Sequence, residues 1–208
     1  METGCPRLPP SVGNNMLNNL KKYEILLASA SPRRRELLKM IGLDFTIASN
    51  MQVDESYPED MPAEDVAEYI SLIKAKAYRQ AIKPEQLIIT ADTVVIAGNK
   101  ILGKPANAIE AKMMLQLLSG NKHTVITGVT ISTIEKTKSF SATTEVEFAN
   151  LSDEEIDFYI NTFRPLDKAG AYGIQEWIGC IGVKNINGSY YNVMGLPLHR
   201  LYSELKNF

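Results

Sequence analysis

Residues 26–38, LLASASPRRRELL, constrain the fold of this chain most, because they couple a buried strand to a helix through a turn that places three arginines side by side. Residues 25–28 read as a short buried strand and residues 34–40 begin an apolar-periodic helix, with Ser31 at the N-cap and Pro32 at the first helical position. Arg33, Arg34 and Arg35 then crowd the first turn, where the helix dipole is already positive and carboxylates would be preferred. A solvated basic turn with Glu36 as partial neutraliser is the ordinary explanation. A phosphate chain docked on the exposed amides and guanidinium forks would remove the self-repulsion. Position favours the phosphate: strand, tight turn and helix aim the arginines out of the end of a sheet, where α/β proteins place ligands.

A chain of 208 residues with 45% hydrophobic content can bury one substantial core, or two small lobes sharing a sheet. A net charge of −2 rules out a global basic field, which argues against a dedicated duplex-DNA binder; affinity for polyanions has to be local. Cys5 and Cys180 make no disulfide framework, so a reducing, cytoplasmic setting is the expectation. No apolar run approaches transmembrane length. Residues 1–20 lack the layout of a secretory signal and read as a flexible leader, leaving residues 21–208 as a single α/β domain with two lobes.

Further along, Gly42 stops the first helix, residues 45–48 return as a strand, and Asp54 and Glu55 stand together in an acidic loop. Pro62 opens a helix over residues 63–81 whose apolar stripe is Val66, Ala67, Ile70, Ile73 and Ala77, with Lys76 at its margin. Residues 87–91, LIITA, have the composition of a strand buried on both faces, and Asp92 interrupts it before residues 94–97. A buried carboxylate there calls for a metal, a proton to accept, or an ion-pair partner. Gly98-Asn99 marks a hairpin, and Asn107 with Glu110 and Ser152 with Glu155 have capping-box spacing at two further helices. Two long alternating strands over residues 122–135 and 138–148 require an antiparallel component, so the sheet is mixed. Residues 177–183 and 190–193 read as a last hairpin about Asn187-Gly188, and Pro197 opens a terminal helix.

Several mechanisms are excluded by pattern. There is no Walker-type loop, no GxGxxG after the first strand and no Ser-His-Asp elbow. Zinc spacing is absent, and His123 and His199 read as ordinary structural or surface residues. What remains is a set of carboxylates (Asp54, Glu55, Asp92 and Asp167) and cations (Arg33, Arg34, Lys76, Lys104 and Lys168) at strand ends and loop tips. Carboxylates of this kind suit Mg²⁺ or Mn²⁺ bridging phosphate oxygens, and phosphoryl transfer needs a cationic cradle, a metal, and a carboxylate that orients or deprotonates water.

SASPRR at 29–34, Asp54-Glu55, Lys76-Ala77, ADT at 91–93, GKP at 103–105, LSG at 118–120, DKAGAYGIQ at 167–175 and NGSYYNVMGLP at 187–197 together resemble the Maf family of nucleoside triphosphate pyrophosphatases. The match runs from about Ile25 to the C-terminus in the family's order and spacing. The resemblance implies an α/β fold similar to the inosine triphosphatases, with an elongated mixed β-sheet flanked by helices, two lobes about a central cleft, and a homodimer. It also implies cleavage of a nucleoside triphosphate substrate between the α and β phosphates, with a divalent metal: Mg²⁺ or Mn²⁺, and Co²⁺ as a third option.

Position by position, the resemblance makes Asp92 the proton acceptor and sets Arg33, Thr93 and Gln175 where the family chooses its base. Lys76, Lys104 and Glu55 match positions handling phosphate and metal, Glu55 and Asp92 being the expected metal ligands; Lys74 leaves the choice of lysine open by one helical step. Ser29, Ser31, Arg34 and Lys168 complete the expected substrate contacts. GIQ ending at Gln175 resembles the branch acting on dTTP and UTP, and an amide can read the O4 and N3–H edge of thymine or uracil. Glu176-Trp177 departs from the glycine-like stretch common after that glutamine. Alternatives are a purine-directed pyrophosphatase for inosine or 7-methylguanosine triphosphate, and a regulator of cell division, since the family name is also attached to inhibition of septum formation. No stable nucleic-acid or membrane partner is expected.

Overall fold

Three long strands decide the architecture. The computed structural model describes residues 16–208, with elements in the order β1 (Glu24–Ala28), α1 (Pro32–Met40), β2 (Thr46–Ile47), α2 (Ala63–Arg79), β3 (Gln86–Ala97), β4 (Lys100–Leu102), α3 (Ala108–Leu118), β5 (Lys122–Ser132), β6 (Thr137–Phe148), α4 (Asp153–Phe163), α5 (Trp177–Gly182), β7 (Val183–Asn187), α6 (Tyr190–Val193) and α7 (Leu198–Lys206). The described strands form one seven-stranded sheet in the order β2-β1-β3-β5-β6-β7, with β4 on β3. β1 runs parallel to β2 and β3, and every other pairing is antiparallel, which is the mixed α/β sheet expected from the sequence. Among the described residues no helix is long and apolar enough to cross a membrane.

The period of two along a strand sorts the packing. Leu87, Ile89 and Ala91 of β3 join Val129 and Ile131 of β5 in one core, closed by Leu37 and Leu38 of α1 and Leu201 and Leu205 of α7. Further along, Val95 and Val125 join a second core with Leu115 of α3 and Ile156 and Tyr159 of α4. These two cores are the two lobes. The residues between them in sequence face the other way: Val94 and Ile126 pack against Val66, Ala67 and Ile70 of α2. Asp92 shares the parity of Val94 and therefore faces α2.

α2 lies unusually close to the sheet because Gly128, the β5 partner of Asp92, has no side chain; a Cβ there would run into the backbone of Ala67 and Glu68. A polar seam accompanies this approach, with Thr90 Oγ1 donating to Ser71 O at 2.7 Å and the Ser71 and Thr130 hydroxyls 2.8 Å apart. Buried hydroxyls are tolerated where they satisfy one another and the helix backbone.

Capping follows the sequence closely. Ser31, Asn107 and Ser152 each accept the backbone N–H expected of an N-cap, and Ser152 with Glu155 forms the full reciprocal box. Glu110 instead accepts from Ala106 N at 2.7 Å.

Three expectations need correcting. Residues 1–15 of the expected leader lie outside the described residues, but Leu17 and Leu20 are buried in the first core and Asn19 Nδ2 donates to Leu205 O at 2.8 Å, so the packed chain begins before residue 21. The turn between the long strands sits at Thr133–Lys136 rather than at residues 136–137, the two left between the strands expected over 122–135 and 138–148, because the Thr133 hydroxyl accepts the Lys136 N–H at 3.1 Å. The expected hairpin over residues 177–193 is helix, strand and helix. Gly179 admits α5 directly against the Ile174 carbonyl, Ile178 and Gly182 bury one face, and Ser189 caps the turn of α6. Of these three elements, β7 is the one that pairs with β6.

His123 is 3% exposed, its Nε2 lies 2.8 Å from the Tyr172 hydroxyl, and Phe148 and Tyr172 flank its ring edge-on. Burial pushes its pKa from 6.5 down to about 4, so between those values the unfolded chain binds a proton that the folded chain refuses. Stability held above pH 6.5 is accordingly lost as the pH falls toward 4. In urea titrations at pH 7 and 4.5, His123→Gln is expected to shrink the acid loss by on the order of 2 kcal/mol; the same pH slope in both proteins would refute the assignment. Gly128→Ala is expected to destabilise by about 2–3 kcal/mol, a fall in Tm of roughly 5–10 °C by calorimetry.

Candidate active site

β1 ends its pairing with β3 at Ala28 opposite Thr90, and along β3 the pairing with β4 starts at Val95, opposite Leu102, the last residue of β4. Between these points no strand among the described residues neighbours this edge of β3, and the candidate site is built on that gap. A cavity of about 900 Å³ opens there, within the usual range for ligand pockets. Alternation puts Asp92 on the α2 side of the gap and Thr93 on the α1 side.

Arg34 fills the gap from the α1 side. Its Nη1 donates to Ala91 O at 2.9 Å and Ser29 Oγ at 3.4 Å, its Nη2 to Thr93 Oγ1 at 3.0 Å, and its Nε to Gly195 O at 2.7 Å. Four of the five guanidinium N–H bonds are thus committed to protein oxygens. Burial lowers the Arg34 pKa, nearby Asp92 raises it, and Arg33 lowers it further. Arg34, expected to contact substrate, lines the cavity and ties the arginine turn, β3 and the Gly195 loop together with one N–H to spare. Thr93 passes the same network on, its hydroxyl lying 2.9 Å from that of Thr127, which donates to Asn192 O at 3.0 Å.

The three arginines therefore avoid one another by separating. Arg33 Nη1 crosses to Asp167 Oδ2 at 3.2 Å, and Arg35 Nη2 turns back to Ala30 O at 3.2 Å. Ser31 caps α1, while Ser29 Oγ accepts from Ser31 N at 3.2 Å, so both serines shape the turn.

On the α2 side the lysine that reaches the site is Lys74, which corrects the choice of Lys76. Lys74 Nζ lies 2.8 Å from Asp92 Oδ1 and 3.1 Å from Glu55 Oε1, whereas Lys76 is exposed and lies outside the cavity lining. Val66, Ile70, Lys74 and Tyr78 recur every four residues along the buried face, a spacing that could have found it. The expected metal ligands Glu55 and Asp92 thus converge on one ammonium, with side chains 54% and 17% exposed. Two carboxylate oxygens already gathered about a cation fit Mg²⁺ or Mn²⁺, which take one or two protein carboxylates and complete their shell with water and phosphate oxygens. Among the described residues no cluster of three or more His, Cys, Asp or Glu forms a metal cage. Asp54 is turned aside, its Oδ1 accepting from Ser56 N at 3.0 Å.

Opposite these groups stand Lys104, exposed on the cavity wall, and the loop carrying Lys168 and Gln175. Lys168 is 7% exposed, with its ammonium 2.7 Å from Asp167 Oδ1 and 3.1 Å from Glu176 Oε1. Partial burial pushes the Asp167 carboxyl up, but Lys168 and Arg33 together hold it below its usual range. Gln175 is exposed at the cavity. Every expected site residue except Lys76 and Asp54 therefore lines one cavity, Arg33 and Asp92 included. Glu176 and Tyr159 stand outside the expected set; the run DKAGAYGIQE ends on Glu176, but nothing in the α4 sequence marks Tyr159, an ordinary apolar-face aromatic by spacing.

Residues 24–208 match the family model described as Maf-like protein. A protein of Phocaeicola vulgatus named dTTP/UTP pyrophosphatase is 56% identical over 191 residues, covering 92% of this chain and 99% of the relative. One of the same name from Bacteroides thetaiotaomicron is 54% identical over the same shares. Among solved structures, the Staphylococcus aureus Ham1 protein superposes with a TM-score of 0.52 at 19% identity, covering 87% of this chain and 99% of that one, a likeness of fold alone. With its arginine turn, Asp92 and glycine-rich loop in one cavity, this chain belongs to the Maf-like protein family.

Proposed function

We propose that this protein is a nucleoside triphosphate pyrophosphatase that hydrolyses dTTP and UTP to the monophosphate and pyrophosphate, in the cytoplasm, as a homodimer. The observation that carries the reading is one cavity shared by Asp92 with Glu55, by Arg33 and Lys104, and by Gln175. Those three sets meet the three demands of the reaction: activating water, neutralising phosphate and choosing a base. The names of relatives 56% and 54% identical over nearly the whole chain support the same substrates.

Asp92 accepts the proton of the water that attacks the α-phosphorus, and the bond from that phosphorus to the bridging oxygen breaks, releasing pyrophosphate. Charge growing on the leaving pyrophosphate is met by Arg33 and Lys104, placed in advance on the cavity wall. Lys74 holds Asp92 and Glu55 in register across the gap of β3. A divalent cation held by Glu55 and Asp92 would supply a Lewis acid for phosphate oxygens and a more acidic water. The Gln175 amide, donor and acceptor together, pairs with the O4 and N3–H edge that thymine and uracil share.

Asp92→Asn is expected to keep its fold by circular dichroism and lose at least 10²-fold in pyrophosphate release from dTTP with Mg²⁺; full turnover in the variant, or in the parent protein with excess EDTA, would sink the mechanism. Gln175→Glu removes the amide donor and is expected to lower kcat/KM for dTTP and UTP by about tenfold relative to dCTP and dGTP. An unchanged ranking of the four nucleotides would remove Gln175 from base selection.

A further inference from the structure

The residue proposed to read the base sits on a turn whose two ends are fastened to one phenol. Glu176 N donates to Gly173 O at 2.9 Å, closing a four-residue turn with Gln175 as its third residue. Gly173 N donates to the Tyr159 hydroxyl at 3.0 Å, and that hydroxyl donates in turn to Glu176 Oε2. First and last residues of the turn therefore share a single anchor. Tyr159 belongs to α4, is fully buried, and stacks on Phe163 at 5.1 Å, so the anchor is part of the second core rather than of the loop.

The loop needs such an anchor. Gly170 and Ala171 both adopt positive φ, 67° and 58°, and the left-handed region is unfavourable for alanine without surrounding restraint. Ala171 is fully buried, and Gly170 N donates to Gly103 O at 3.1 Å with Val95 directly beneath it. At Gly173 a Cβ would stand 2.8 Å from the Glu176 carboxyl carbon, so the carboxylate lies across the turn it closes. The other oxygen of Glu176 binds Lys168, whose ammonium also binds Asp167, the partner of Arg33. A continuous run of bonds thus joins the base-reading turn to the cation at the phosphate end.

We propose that Tyr159 and Glu176 are positioning residues for base selection: the phenol and the carboxylate fix the turn that presents Gln175, and through Lys168 and Asp167 they hold its distance from Arg33. This rests on the pyrimidine pyrophosphatase reading above. Burial and the Glu176 carboxylate both raise the Tyr159 pKa, so the phenol stays protonated and keeps donating. A fixed amide discriminates between bases because a wrong partner leaves its donor and acceptor unpaired, whereas a loose amide rotates to suit either edge.

Pyrophosphate release from dTTP, UTP, dCTP and dGTP, each with Mg²⁺, tests this in the full-length protein and in Tyr159→Phe, Glu176→Ala and Glu176→Gln. Tyr159→Phe and Glu176→Ala are expected to reduce the ratio of kcat/KM for dTTP over dCTP by about tenfold, the effect of one buried hydrogen bond, through a higher KM for dTTP and UTP. Glu176→Gln keeps an oxygen to accept from the phenol and is expected to stay within about threefold of the parent ratio. An unchanged ratio in Tyr159→Phe, or an equal loss on all four nucleotides, would make the pair mere packing and overturn the proposal. Should Tyr159→Phe not fold, Glu176→Ala, altered at a partly exposed carboxylate, is decided by the same two outcomes. A parent protein that releases no pyrophosphate from dTTP or UTP overturns the functional reading itself, a result distinct from selective hydrolysis that survives in the variants.

Discussion

A guanidinium where a strand should be is the interaction on which the site depends. β1 leaves β3 at Thr90, and among the described residues no strand pairs the next backbone acceptor on that edge, Ala91 O. Arg34 supplies the missing donor and, with its remaining N–H groups, reaches Thr93, Ser29 and Gly195. An unpaired buried carbonyl is unfavourable by about 1–3 kcal/mol, and an unpaired buried guanidinium by more; each here answers the other. Interrupting the sheet is what exposes Asp92 and Thr93, so the same residue that repairs the break also defines the opening. Lysine could not replace it, since a single ammonium cannot reach four acceptors set in a fork.

Charge in the cavity is balanced locally. Lys74 is neutralised by Asp92 and Glu55, and Arg33 and Lys168 share Asp167, so the count of cations overstates the attraction a triphosphate meets. Phosphate oxygens must compete with carboxylates already in hydrogen-bonding position. That competition sharpens selection for a ligand carrying several phosphates, because only such a ligand answers Arg33, Lys104 and the carboxylate pair together.

Much of this was legible in the chain itself. The cap at Ser31 with Pro32, the capping box at Ser152, the two long strands and the anomalous Asp92 are each set by neighbouring residues, and local pattern suffices for them. What sequence hid was set by distance in space. Lys74 and Lys76 differ by little in periodicity, and only the close approach of α2 over Gly128 decides which ammonium meets Asp92. Three adjacent arginines look alike on paper; their different tasks come from Asp167 and Gly195, more than a hundred residues away. WIGCIGV alternates well enough for a strand, but Gly179 allows a helix to close against the Ile174 carbonyl, a contact no hydrophobic pattern records. Leu17 and Leu20 sit in a polar run, and α7 and β1 make them core.

β3, β5 and β6 each pass from one hydrophobic core to the other without a break, stitched along their length by antiparallel bonds. Two halves sharing three continuous rails cannot swing about a pivot; the sheet can flex and twist but has no axle. The groove can therefore change width by bending of the sheet but not by a hinge, and the finer fit to a nucleotide falls to side chains and the loops above, in the way a stiff vice grips with adjustable jaws.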